Sequence, residues 1–278
     1  MEPELRVTVL VENRAGREDV SAEAGLSLWV EAAGLRLLFD TGESDAFLSN
    51  ARVLGVSVEE ADVLVLSHGH GDHSGGIASL AAAGLGPAAY LHPAAVLPRY
   101  GRAQVPPHPL IGMPAASVAW VGVMADRVTW TVGPTQIGTR LGVTGAIPRK
   151  TDFEDTGGPF FLDPECRKPD ILPDDQAVWV ETSKGIVVLL GCAHAGVVNT
   201  LDYIASLLGT SRFHAVIGGT HLVRAGEERL RRTAEALERY DLAIVAPCHC
   251  TGGPALSYFK SRFADTFLSL ATGDVLEL

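Results

Sequence analysis

Between residues 67 and 73 the chain reads Ser67-His68-Gly69-His70-Gly71-Asp72-His73, which places four side chains able to ligate a metal within six residues. The run follows directly on an apolar stretch, residues 63–66, of the kind that forms a strand buried on both faces of a sheet. Histidines two residues apart point to opposite faces of a helix but to the same side of an extended chain. The preceding strand and the spacers Gly69 and Gly71 favour the extended case, and glycine lets a backbone bend tightly around an ion. Imidazole and carboxylate are donors suited to zinc, manganese or iron. A single histidine at a strand end is more often structural than a ligand. Three of the nine histidines of a 278-residue chain, gathered with an aspartate, point to a metal site.

The same arrangement recurs. Residues 186–190, 215–217 and 242–246 read as short apolar strands, and each leads into a histidine-bearing loop: Gly191-Cys192-Ala193-His194, Gly218-Gly219-Thr220-His221 and Pro247-Cys248-His249-Cys250. Helical periodicity follows at 197–208, closed by Gly209, and at 227–240. Upstream, residues 6–11, 26–30 and 35–39 read as strands, with helices from about 44 to 55 and from 77 to 83. Four strand–loop–helix passages place their loops at strand ends, where open α/β sheets collect their sites. Residues 87–114 hold seven of the 16 prolines and little periodicity. They read as an irregular insert, a lid or an interface. Residues 118–145 read as strands with glycine turns.

Composition narrows the partners. Apolar residues make up 47% of the chain, enough for a sizeable core, and the formal charge is −11. An acidic surface argues against nucleic acid, which needs clustered cations. It leaves room for an anionic small molecule, because a bound cation reverses the local field. The longest apolar run spans about eight residues where a membrane span needs roughly 20. No leader pattern opens the chain, and the four cysteines suggest no secreted disulfide framework. The expectation is one domain over 1–278, cytoplasmic, without a membrane or nucleic-acid partner, and compatible with a homo-oligomer. Cys192 and Cys248 read as small apolar packing residues.

Residues 67–76, together with Leu38-Phe39-Asp40-Thr41-Gly42 upstream, resemble the metallo-β-lactamase superfamily through its His-x-His-x-Asp-His signature. The resemblance covers essentially the whole chain. It implies an α/β fold, a four-layer αβ/βα sandwich of two mixed sheets flanked by helices. It implies one or two divalent ions, zinc first, with manganese or iron as alternatives. His68, His70 and His194 would hold the first ion, and Asp72, His73 and His249 the second. Asp40 would orient the ligand loop. His221 stands where most binuclear members carry a bridging aspartate, and neutral imidazole offers one lone pair where a carboxylate can bridge. His221 would bind one ion or contact substrate, or the site would favour a single ion.

The stretches 145–154, 174–177, 191–199, 218–222 and 248–252 resemble a branch named for a pterin-pathway synthase. That synthase joins a dihydropterin-methyl diphosphate to an aminobenzene ribofuranoside phosphate and releases diphosphate. Arg149 and Lys150 are the candidate phosphate grips, against the plainer reading of a solvated charge pair. Four functions remain open: a hydrolase using metal-activated water, with Asp72 and His221 in catalytic positions; a transferase of the pterin branch; a non-hydrolytic iron enzyme; and a metal-binding module.

Overall fold

The computed structural model describes residues 3–278. The strands and helices are, in chain order, β1 (Leu5–Val11), β2 (Ser27–Ala32), β3 (Leu35–Phe39), α1 (Ala46–Leu54), β4 (Val63–Val65), α2 (Gly71–Ser74), α3 (Ile77–Ala82), β5 (Ala88–Leu91), β6 (Tyr100–Gly101), α4 (Ala115–Val123), β7 (Val128–Trp130), β8 (Thr135–Gln136), β9 (Leu141–Val143), β10 (Phe160–Phe161), β11 (Ala177–Thr182), β12 (Gly185–Leu190), α5 (Val197–Leu208), β13 (Phe213–Gly219), α6 (Glu227–Arg239), β14 (Ile244–Cys248), α7 (Gly253–Arg262) and β15 (Val275–Glu277). One sheet runs β15-β1-β2-β3-β4-β5-β7 and the other β14-β13-β12-β11-β9-β8, with β10-β6 as a separate pair. Both large sheets are mixed. β3, β4, β5 and β7 are mutually parallel, as are β12, β13 and β14, while the remaining pairings are antiparallel.

Strand alternation explains why the apolar runs are continuous. Val63, Val65, Leu37 and Phe39 enter the core between the sheets, where they meet Val178, Val180, Val187, Leu189, Ala215 and Ile217. The intervening Leu38 and Leu64 face Phe47, Ile77 and Trp120 of the helices on one outer side. Trp179, Val188 and Val216 face Leu201, Ile204, Ala234 and Phe259 of α5, α6 and α7 on the other. Each sheet is therefore covered on both faces, and the layers are helix, sheet, sheet, helix. Burying one such aliphatic side chain contributes about 1.5–3 kcal/mol.

Two regions differ from the expectation. The supposed insert at 87–114 begins with β5, which pairs in parallel with β4 inside the first sheet. Its four residues are too few to show a period beside so many prolines. Residues 115–123 form a helix rather than a strand. Ser117, Trp120 and Val121 are its buried positions, a three- and four-residue spacing, with Pro114 at its start. Short apolar runs satisfy both periods, so the pattern alone could not decide. The closing strand β15, which pairs with β1, carries no strong local signal. Among the described residues no helix is long and apolar enough to cross a membrane.

Candidate metal centre

All six histidines singled out at strand ends converge on one edge of the sandwich. His68 and His70 follow β4, Asp72 and His73 lie in the short turn α2, and His194, His221 and His249 follow β12, β13 and β14. Neighbouring ring centroids stand 4.3 Å apart for His68–His73 and His194–His221, 4.6 Å for His68–His70 and 4.9 Å for His73–His249. Asp40, Ala193, His221 and His249 all adopt left-handed backbone, with φ of 58°, 52°, 46° and 50°. Such conformations cost about 1–3 kcal/mol each and persist where surrounding structure imposes them.

Hydrogen bonds set which nitrogen of each ring is free. The fully buried Asp40 carboxylate accepts from the Ser67 backbone N–H, from Ser67 Oγ and from His73 Nδ1, each at 2.7 Å. His73 Nε2 is thereby turned inward. His194 Nδ1 donates to the Thr156 carbonyl at 2.7 Å, and His249 Nδ1 donates to Asn13 Oδ1 at 2.9 Å. Because Ser67 Oγ gives its hydrogen to Asp40, it accepts from His68 Nδ1 at 2.9 Å. These tautomers follow from the bonding network. Four Nε2 lone pairs then face one another across a buried space: His68, His73, His194 and His249. His73 Nε2 lies 3.1 Å from His249 Nε2, and His68 Nε2 lies 3.0 Å from His70 Nδ1. At that separation two bare lone pairs repel, so a proton or a metal ion must stand between the nitrogens of each pair. His70 Nε2, His194 Nε2 and His221 Nδ1 are also buried without any partner, which buried polar atoms rarely tolerate. The donor set fits a divalent metal.

Titration follows the same logic. Burial opposes charge on His73, yet Asp72 and Asp40 outweigh it and hold the ring up at about 9. A proton there takes the place a metal would take. Burial pushes His70 down to about 3, with Asp72 opposing and Arg99 adding to the effect. His68 and His194 are driven well down by burial and by the neighbouring rings. Burial would raise Asp72, but His73 and His249 hold it well below the ordinary carboxylate range. Its Oδ2 stands 3.4 Å from His249 Nε2 and 3.8 Å from His73 Nε2, and 37% of its side chain is exposed to solvent.

Three consecutive residues before β11 brace the ligand loops. Asp174 Oδ2 accepts from Gly69 N–H at 2.8 Å, Asp175 Oδ2 accepts from Ala195 N–H at 2.7 Å, and Gln176 Nε2 donates to the Leu66 carbonyl at 2.8 Å. Asp174 is held in turn by Arg99, fully buried, whose Nη2 donates to it and whose Nε donates to Asp170, both at 2.6 Å. Gly69 is obligatory there, since a Cβ would lie 2.0 Å from the Ala95 carbonyl oxygen. Phe160 on β10 packs against His70, His194 and His221, with centroids at 4.9, 5.2 and 5.8 Å. β10 pairs with β6 out of the Pro-rich region, so that region reaches the site.

Arg149 and Lys150 are placed otherwise than the sequence reading expected. The Arg149 guanidinium donates to the carbonyls of His194 and Ile171, both at 2.7 Å, so it buttresses the His194 loop instead of offering a free fork to phosphate. Lys150 is exposed and lines a surface cavity of about 320 Å³ with Asp152, Asp202, Arg232 and Glu235, a cavity that includes no member of the histidine cluster. Asn13, Thr156 and Phe160 were not singled out in sequence, and no local pattern marks them. Cys192 lies two residues before His194, and with the left-handed Ala193 between them both side chains reach the site. Its Sγ lies 3.2 Å from His73 Nε2, which corrects its reading as a plain packing residue.

The chain belongs to the metallo-beta-lactamase superfamily, whose family model matches residues 21–249. It is 27% identical to the 7,8-dihydropterin-6-methyl-4-(beta-D-ribofuranosyl)-aminobenzene-5'-phosphate synthase of Methanocaldococcus jannaschii, over 98% of this chain and 96% of that protein. Among solved structures, Tm1679, described as a metal-dependent hydrolase of the beta-lactamase superfamily, superposes with a TM-score of 0.84 at 29% identity over 99% of both chains. Zn(2+)-bound PqqB from Methylobacterium extorquens shares the fold, with a TM-score of 0.59 at 16% identity over 98% of this chain and all of that one.

Proposed function

We propose that the chain is a metal-dependent hydrolase acting on a phosphate-bearing or other anionic small molecule, with His68, His70, Asp72, His73, His194 and His249 as metal ligands and His221 beside them. The observation that carries this reading is the set of inward-facing imidazole lone pairs, with His73 and His249 opposed at 3.1 Å beside the Asp72 carboxylate. A divalent ion bound there supplies an electrophilic grip on an anionic oxygen and a water of lowered pKa.

The chain's own groups do the rest. Asp72 is partly exposed at the rim, and the carboxylate oxygen turned away from His249 can take a proton from an attacking water and return it to a leaving group. His221, next to His194, brings an unpartnered buried Nδ1 to the ligand set, and its other ring nitrogen can meet a substrate oxygen. Phe160 covers His70 and His194 and keeps bulk water from that side. Asp40 and Asn13 hold the rings of His73 and His249 in one tautomer. Zinc is the first choice of ion.

A second reading is supported by the near full-length likeness to the pterin-pathway synthase: a transferase in which diphosphate is the leaving group. A panel of nitrophenyl phosphomonoesters, phosphodiesters and carboxylic esters tests the first reading, with His70→Ala as control. Turnover that disappears in the variant supports the hydrolase. A metal-loaded protein that hydrolyses none of them but consumes a dihydropterin-methyl diphosphate supports the transferase.

A further inference from the structure

The histidine and aspartate set leaves two sulfurs unexplained. Of the three cysteines near the site, Cys248 belongs to the core between the sheets, whereas Cys192 and Cys250 belong to none of the three apolar cores. Cys192 Sγ occupies the middle of the site instead. It shares donor distances under 4.8 Å with His68 and His194, with His73 and His249, and with His221 and Cys250. Cys250 is fixed as tightly. Its Sγ accepts from the His221 backbone N–H at 3.3 Å and lies 3.8 Å from the Cys192 carbonyl oxygen. A Cβ on Gly219 would come within 2.6 Å of it, so β13 is bare where the sulfur sits. The third member, His221, brings a buried Nδ1 with no partner.

We propose that Cys192, His221 and Cys250 form a thiolate–imidazole pole of the metal centre that holds a borderline or soft divalent ion, such as zinc, cobalt or cadmium. Ligands about 2.0–2.3 Å from a tetrahedral ion stand roughly 3.3–3.8 Å apart, a spacing this trio can reach with small side-chain movements. On binding, the two thiols release their protons to water and each sulfur gives a lone pair to the ion. Sulfur donors select against magnesium and calcium, which prefer oxygen. The assignment also gives a reason for an imidazole at position 221. With two thiolates supplying negative charge, a bridging carboxylate is no longer needed to neutralise the ion. The inference rests on the metal-centre reading above, and its test separates the two.

The full-length protein is stripped with chelator and loaded with cobalt(II), and the bound ion is counted. Near-ultraviolet thiolate-to-cobalt charge-transfer absorption is expected. Cys192→Ser and Cys250→Ser should each remove about half of the intensity, and the double variant all of it, while Cys166→Ser leaves it intact. X-ray absorption of the zinc-loaded wild-type protein should show a sulfur shell at about 2.3 Å, a measurement that needs no variant to fold. Stoichiometric metal with only nitrogen and oxygen neighbours and no charge-transfer band would overturn the thiolate pole and leave the histidine centre standing. Failure to bind any ion would overturn both.

Discussion

His73 Nε2 and His249 Nε2 face each other at 3.1 Å, and each ring's Nδ1 already donates elsewhere, to Asp40 and to Asn13. In the metal-free state a proton on His73 bridges the pair, and an ion that binds several ligands at once would replace it. Binding of a cation should therefore stabilise the folded protein strongly. Zinc at about 100 times its dissociation constant adds roughly 2.7 kcal/mol. For a chain of this size that corresponds to a rise of about 5–10 °C in melting temperature. Calorimetry of chelator-treated protein with and without zinc measures it, and coincident melts would count against a native metal site.

Asp40 accepts three hydrogen bonds and fixes the tautomer of His73. Asn is the isosteric replacement and tolerates the left-handed backbone found there, so Asp40→Asn tests the carboxylate without straining the chain. Loss of the charge should weaken metal affinity roughly 10–100-fold. A competition titration against a chromophoric chelator reads this directly. An unchanged affinity would mean that Asp40 serves folding alone.

Arg99 carries its charge fully buried between Asp170 and Asp174. Removing it leaves two buried carboxylates without a counter-ion, so Arg99→Met should cost about 3–5 kcal/mol. Denaturant unfolding of the metal-free protein would show the loss. Adding Asp170→Asn to the same chain should recover part of it, because one of the stranded charges is gone.

Burial raises Asp175 to about 7, against the partial compensation of the Ala195 N–H. The sign is that of a carboxyl whose folded pKa exceeds its unfolded 3.8. Between those values the folded state binds the proton more tightly, so stability falls as pH rises from 3.8 to about 7 and stays lowered above it. The full difference is roughly 4 kcal/mol. Asp175→Asn should flatten that part of the curve, and the difference between wild-type and variant unfolding free energies at pH 4, 5.5 and 7.5 isolates it. Parallel curves would show that Asp175 ionises without cost.

The site was legible wherever its chemistry is written locally. His68, His70, Asp72 and His73 occupy consecutive turns of chain, and His194, His221 and His249 each close an apolar strand, so type and position announced them together. What orients these rings was not legible. Asn13 reaches His249 across 236 residues and the Thr156 carbonyl reaches His194 across 38, and neither has a spacing that sequence could reveal. The place of Arg149 was not legible for the same reason: its partners are backbone carbonyls, which every residue possesses. In the fold, long strands and capped helices such as α5 were clear from their periodicity. Helix α4 and strand β5 were not, because mostly apolar stretches of nine and four residues beside prolines suit either conformation.

His249 is also tied to the start of the chain by its backbone. Its N–H donates to Glu12 Oε1 at 2.8 Å, and the N–H of Glu12 donates to Thr272 Oγ1 at 2.8 Å. On a ribosome, residues 68–73 emerge long before the groups that complete their ligand sphere. Until about residue 275 has been made, the nascent chain displays an unfinished, chelating half-site. Metal capture should thus follow the closing of β1 by β15.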